Sequence, residues 1–371
     1  MKTIKKIISL FLVCALFLSL SACHGKDEVA LTIDGSDITT AMYLSAFIDA
    51  DAEAKQKVNE QLSQNETETT EEIDYYSQTI DGLSFEDYVK NAAIKRCKEF
   101  VFYQKLFDDK VISPTEDDLS QAEYYANSAW SSEGYAYLYE PNGVSYDTFK
   151  KTLTYSAYSS AYFKHLYGKG GEKEVPEKDI KNNMLENYAI AYVLDAAYTE
   201  NATEAQKRDL KAKLEGYGKR LQKGEDYLKL FNELNNSSEK APEKQKDGPK
   251  NVYATIIAEK NSSLTEYATA DFDDVYELKL NQFIVLEKED ESGLTLYLKL
   301  DIGSDNYYYN YLKDTILMDL KQDEFKKDVD KKLEKLTVEE HSWAIDRIKA
   351  EDIDYSKLEE LYASAQQQAG Y

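Results

Sequence analysis

Asn187-Tyr188-Ala189-Ile190-Ala191-Tyr192-Val193-Leu194 decides the fold. Short apolar residues alternate there at the period of a strand. A long helix is expected next, from about Ala202 to Lys223. Gly224-Glu225-Asp226-Tyr227 breaks it, and a second helix restarts over Tyr227 to Leu234. After a loop at 241–263, Leu264 to Leu280 reads as a third helix. Two strands close the stretch, Phe283 to Leu286 and Leu294 to Leu300. The order β-α-α-α-β-β predicts an α+β unit, set within a chain that is otherwise mainly helical.

That order resembles a parvulin-type peptidyl-prolyl isomerase, and so does the wording. The family's LKAGEDF is echoed by Leu221-Gln222-Lys223-Gly224-Glu225-Asp226-Tyr227. Its F-LKPGE-S-PV element is echoed by Phe272 to Val285, with Leu278-Lys279-Leu280-Asn281-Gln282-Phe283 at the centre. Active members use two histidines beside an acidic or thiol residue in a small apolar pocket. The first lies on the opening strand in the context S-H-I-L. Here the matching residues are Ala191-Tyr192-Val193-Leu194, so Tyr192 stands at its position. The second lies on the last strand, where Gly293 to Leu298 contains none. The family's G-G-x-L-G loop is replaced by Lys240 to Asn251, whose only glycine is Gly248. The chain's 3 histidines are His24, His165 and His341, all outside this stretch. The resemblance therefore implies a foldase with weak or absent isomerase activity, and its catalytic residues are unassigned. Rotating a prolyl bond needs little acid-base chemistry, only relief of a barrier of about 20 kcal/mol. An active isomerase without the histidines is thus a real alternative. The client-binding candidates on this unit are Tyr192, Tyr253, Phe283 and Tyr297.

Outward from this stretch, the N-terminus reads as an export signal. Lys2, Lys5 and Lys6 precede an apolar run from Ile7 to Leu20, too short to span a membrane. Leu20-Ser21-Ala22-Cys23 matches the bacterial lipobox. Proteins with that pattern are lipidated on the cysteine, so residues 1–22 are expected to be a lipoprotein signal peptide and Cys23 the lipid anchor. The expected location is the outer face of the bacterial cell membrane. Cys14 would leave with the signal, making Cys97 the one free thiol. It falls in an amphipathic stretch with Val89, Ala93, Phe100 and Val101, which predicts a buried structural role rather than a nucleophile.

A formal net charge of −24 repels nucleic acid and anionic headgroups, which argues against a nucleic-acid partner. The chain carries no P-loop, G-x-S-x-G, CxxC or H-E-x-x-H, and its paired acids lack calcium-loop spacing, so no cofactor or metal is expected.

Glu28 to Gly35 alternates and ends in Asp34-Gly35, a strand and turn, before a helix capped by Thr39 or Thr40. This opening closely resembles the SurA/PrsA-type extracytoplasmic foldases, in which it begins a helical chaperone domain. Residues 54–84 are polar and acidic and read as a loop or loosely held helical insertion. Helices are expected over Phe85 to Asp109, Pro114 to Trp130, Ser145 to Tyr167, and again from Tyr307, with Val338 to Ile353 docking as a short strand or extension. The resemblance implies four parts. A signal peptide (1–22) precedes an N-terminal helical chaperone domain (23–185). An inserted parvulin-like domain (186–303) follows, and a C-terminal helical segment (304–371) returns to the N-terminal domain. Its implied partners are unfolded exported polypeptides. The 31 tyrosines, in clusters such as Tyr135/Tyr137/Tyr139, suit promiscuous gripping of such chains. A solute-binding lipoprotein would need two α/β lobes, whereas residues 36–185 read as helix. A structural envelope lipoprotein would leave the β-β ending without a reason.

Overall fold

The computed structural model describes residues 28–64, 73–132, 134–242, 248–259 and 262–368. The expected signal peptide (residues 1–22) and Cys23 lie outside them. The chain mixes helix and sheet and divides into two compact units: residues through Glu172 together with Phe325 onward, and Lys173–Glu324.

The first unit opens with β1 (Val29–Ile33) and β2 (Ser36–Thr39), joined by Asp34 and Gly35. Both turn residues have positive φ, 51° and 80°, as a two-residue hairpin of matching twist requires. A late strand, β10 (Val338–Glu340), adds to β1 antiparallel, with Leu31 opposite Glu340. Helix α1 (Thr40–Gln64) follows and runs well into residues 54–84, the stretch expected to be a loop or a loosely held helical insertion. The reason is visible along one face: Tyr43, Phe47, Ala50, Ala54 and Val58 are buried at helical spacing, and that packing carries the polar tail. Beyond it, β3 (Thr79–Ile80) and β4 (Leu83–Ser84) form a second hairpin around Asp81-Gly82. Where it is described, residues 54–84 are thus a helix end, as the helical alternative had it, and a hairpin.

Helix α2 (Phe85–Asp108) is capped by Ser84, whose side chain accepts from the Asp87 amide. Its buried face includes Phe85, Val89, Ala93 and Cys97, and burial pushes the Cys97 thiol pKa far up, in keeping with a structural cysteine. Helices α3 (Glu116–Ser132), α4 (Tyr135–Tyr139) and α5 (Tyr146–Tyr167) complete the layer.

The second unit begins with α6 (Glu177–Asn187) and runs directly into β5 (Tyr188–Ala197). Next come α7 (Glu204–Gln222), held by a Thr203–Gln206 capping box, and α8 (Tyr227–Asn235), capped by Asp226. The structure then departs from the expected order. Thr255–Glu259 is a strand, β6, that pairs antiparallel with β5. Leu264–Leu280 is not one helix: it holds a 3₁₀ turn, a two-residue strand β7 (Ala268–Thr269) and the short α9 (Phe272–Glu277). With β8 (Phe283–Glu287) and β9 (Gly293–Leu300) the sheet has five strands, ordered β7-β6-β5-β9-β8. The run Ile256-Ile257-Ala258 is buried on both faces, so it lacks the alternation that announces a half-exposed strand.

Helix α10 (Asn306–Leu333) is continuous, with its division between units after Glu324. After β10 come the short α11 (Ser342–Ile345) and α12 (Ser356–Gln368). No helix among the described residues is long and apolar enough to cross a membrane.

Candidate functional site

Strand β5 is central in its sheet, so its alternate side chains feed two separate cores. On one face Leu194 and Ala196 pack with Leu214, Leu221 and Leu230 of α7 and α8, and Tyr192 lies against this cluster. The Tyr192 ring stacks on Tyr227 at 4.9 Å, and Tyr227 stacks on Tyr253 at 5.1 Å. The polar tips are satisfied locally. Asn251 Nδ2 donates to the Tyr192 hydroxyl at 2.7 Å, and the Tyr227 hydroxyl donates to the Val193 carbonyl at 2.7 Å. Burial pushes the Tyr227 phenol up to about 12, so it is no proton shuttle at neutral pH. Tyr192, expected from the sequence to stand where a histidine would, is one tile of an aromatic stack.

The four sequence candidates do not form one cluster. Tyr192 and Tyr253 meet through Tyr227. Phe283 lies on the same sheet face but is committed to packing: a Cβ at Gly218 would sit 2.4 Å from its ring, so only glycine leaves it room. Tyr297 lies on the opposite face, 7% exposed, among Ala189, Ala191, Ile257 and Phe272. Its hydroxyl donates to Asp271 at 3.0 Å, and burial raises both groups' pKa values.

The richer constellation is in the first unit, and the sequence did not announce it. A cleft of about 610 Å³ is walled by α1, α4 and α12. Asp49 and Glu53, one helical turn apart on α1, line it beside Arg96, Tyr135, Tyr139 and Tyr355. Tyr139 donates a short bond to Asp49, and Tyr355 donates a short bond to Asp51. Glu53 accepts from Tyr88 at 2.6 Å and from Arg96 at 2.8 Å. Lys55 reaches Asp51 at 2.9 Å and lies 3.9 Å from the Tyr355 ring centre. Burial raises the Asp49 carboxyl against the opposing pull of Tyr139 and Arg96. These bonds fix the rings of Tyr139 and Tyr355 while leaving Tyr135 and Tyr362 substantially exposed at the rim. The arrangement is a preorganised aromatic wall over a carboxylate floor. It offers contact surface and no nucleophile. The legible signals were the Tyr135/Tyr137/Tyr139 cluster and a pair of acids one turn apart in the apolar half of a helix. The Tyr355 pairing, 304 residues away in sequence, left no local trace.

Among the described residues, no group of three or more His, Cys, Asp and Glu is placed to hold a metal ion. Compared with known proteins, the chain matches no family model and no curated protein. Among solved structures it is similar to the foldase protein PrsA from Lactococcus lactis, with 16% identity and a TM-score of 0.35, covering 85% of this chain and 97% of that one.

Proposed function

We propose that the chain is an extracytoplasmic chaperone of the foldase type, anchored to the outer face of the cell membrane through lipid on Cys23. It binds unfolded exported polypeptides and has weak or absent prolyl isomerase activity. The observation that carries this reading is the tyrosine-walled cleft of the helical unit, whose ring positions are set by Asp49 and Asp51. Rigid amphipathic rings contact many sequences at low entropic cost, which is what a holder of unfolded chains needs. The lipobox and the foldase-like opening from Val29 support the location. The absence of histidine and cysteine from the sequence of the second unit supports weak isomerase chemistry there.

A second reading has its own support. The Tyr192–Tyr227–Tyr253 stack offers a desolvated surface that could hold a twisted prolyl bond without acid-base help. One pair of assays separates the two, on protein lacking the signal and carrying Cys23→Ser. The expected result is suppressed aggregation of an unfolded client with no acceleration of prolyl isomerisation in a short peptide. Isomerisation that Tyr192→Ala abolishes would move the function to the sheet unit. Neither activity would favour a structural or solute-binding lipoprotein.

A further inference from the structure

Helix α12 is attached to the helical unit unevenly. At its root, Tyr355 is bonded to Asp51, and Asn142 makes a reciprocal pair with Asp354: its Nδ2 donates to the Asp354 carbonyl at 3.0 Å and its Oδ1 accepts from the Asp354 amide at 2.9 Å. Past that root the attachment fades. None of the residues Ser356 to Ala365 is buried. Among the described residues, no side-chain hydrogen bond or ion pair ties Lys357, Glu359 or Glu360 to another element. Cavities flank the helix: Leu358 and Tyr362 wall the 610 Å³ cleft, and Leu361 walls a second one of about 690 Å³ with Trp130 and Tyr137. Leu358 packs against the buried cluster that includes Ile48, Leu138 and Tyr139, and beyond it Leu361 lies over Gly134, where any Cβ would come within 2.8 Å of it.

We propose that the two cavities are one docking groove for amphipathic client segments bearing leucine and tyrosine, and that α12 is its resident competitor. Leu358, Leu361 and Tyr362 present, from within the chain, the kind of surface the groove accepts. The root holds the helix at high effective concentration, and the weakly held remainder lets a client displace it. This rests on the chaperone reading above and adds what the groove takes and what guards it.

The test compares binding of a fluorescent, permanently unfolded probe, reduced and carboxymethylated lactalbumin, to three proteins. They are the chain from residue 23 with Cys23→Ser, the same chain ending at Tyr355, and the full-length Leu361→Asp variant. If α12 fills the groove nine-tenths of the time, removing it tightens the apparent Kd about tenfold. Adding a peptide of residues 356–368 in trans should return the weaker value. Hydrogen exchange of the intact chain should show α12 amides opening faster than those of α5, and faster again with probe present. If the truncated chain is unstable by thermal unfolding, Leu361→Asp carries the comparison. Probe binding that is equal or weaker without α12 overturns the competitor and leaves the chaperone reading standing. No probe binding by any of the three proteins overturns both.

Discussion

Around the cleft of the helical unit, three tyrosine hydroxyls end on carboxylates: Tyr139 on Asp49, Tyr355 on Asp51, Tyr88 on Glu53. Around Tyr192 in the sheet unit the partners are backbone and amide, with the Tyr227 hydroxyl donating to the Val193 carbonyl and Asn251 Nδ2 donating to the Tyr192 hydroxyl, while Tyr198 and Tyr297 donate to Glu287 and Asp271. The first pattern pins rings around open space, and cavities of about 610 and 690 Å³ lie beside them. The second closes the Tyr192, Tyr227 and Tyr253 rings on one another, against the core of α7, α8 and β5. Tyrosine content alone therefore does not locate a binding surface. Whether a ring is wall or filling depends on the space beside it as well as on the hydroxyl's partner: Tyr297 also ends on a carboxylate, yet it is core.

The comparison breaks most easily where packing dominates. Leu214 is fully buried at the centre of the α7–sheet core. Leu214→Ala should cost about 3 kcal/mol of unfolding free energy, read by urea titration, with client holding unchanged until the protein melts. A loss of holding in the still-folded variant would place function in the sheet unit.

Asp51 is the next largest. It is fully buried, with Oδ1 unpartnered among the described residues while its other oxygen takes Tyr355 and Lys55. Asp51→Ala strands the Tyr355 hydroxyl and should cost about 2 kcal/mol, with client holding impaired as well. Asp51→Asn keeps an acceptor and should recover much of both.

Tyr227→Phe removes only the bond to Val193 and should cost about 1 kcal/mol, leaving the stack with Tyr192 in place. A far larger loss would show that the sheet unit's phenols do more than fill.

The smallest effect is in pH dependence, where two carboxylates, one in each unit, have opposite signs. Asp49 binds its proton more tightly folded than unfolded, because burial opposes its charge. Stability at that site is gained as pH falls through its raised range and lost as pH rises. Glu225 behaves oppositely. Hydrogen bonds from Arg220 and Lys229 hold it down to about 2, so its contribution is present above the ordinary carboxylate range and lost as pH falls toward that value. Urea midpoints taken between about pH 3 and pH 7 should show Asp49→Asn erasing an acid-side gain and Arg220→Gln erasing an acid-side loss.

Much of the fold could be read locally. Asp34-Gly35, Ser84, Ser145, Thr203 and Asp226 are turns and caps whose chemistry is written within a few residues. β6 escaped because a strand buried on both faces loses its alternation, and Leu264–Leu280 misled because its apolar residues serve a turn, a strand and a short helix in succession. The length of α1 was hidden because its second half buries only the small Ala54 and Val58 among polar residues, and tertiary packing sustains it. At the site, the tyrosines were visible but their partners were not. Asp49 and Asp51 looked like two more acids in an acidic chain, and Tyr355 meets Asp51 only through the folded chain.

The most direct test maps where a client touches the protein, by hydrogen exchange of the signal-free Cys23→Ser chain with and without an unfolded polypeptide. The account predicts new protection on α1 and α4 around Asp49, Glu53 and Tyr135, with β5 and the Asn251–Tyr253 turn unchanged. Protection centred on Tyr192 and Tyr253, with the helical cleft unaffected, would contradict it.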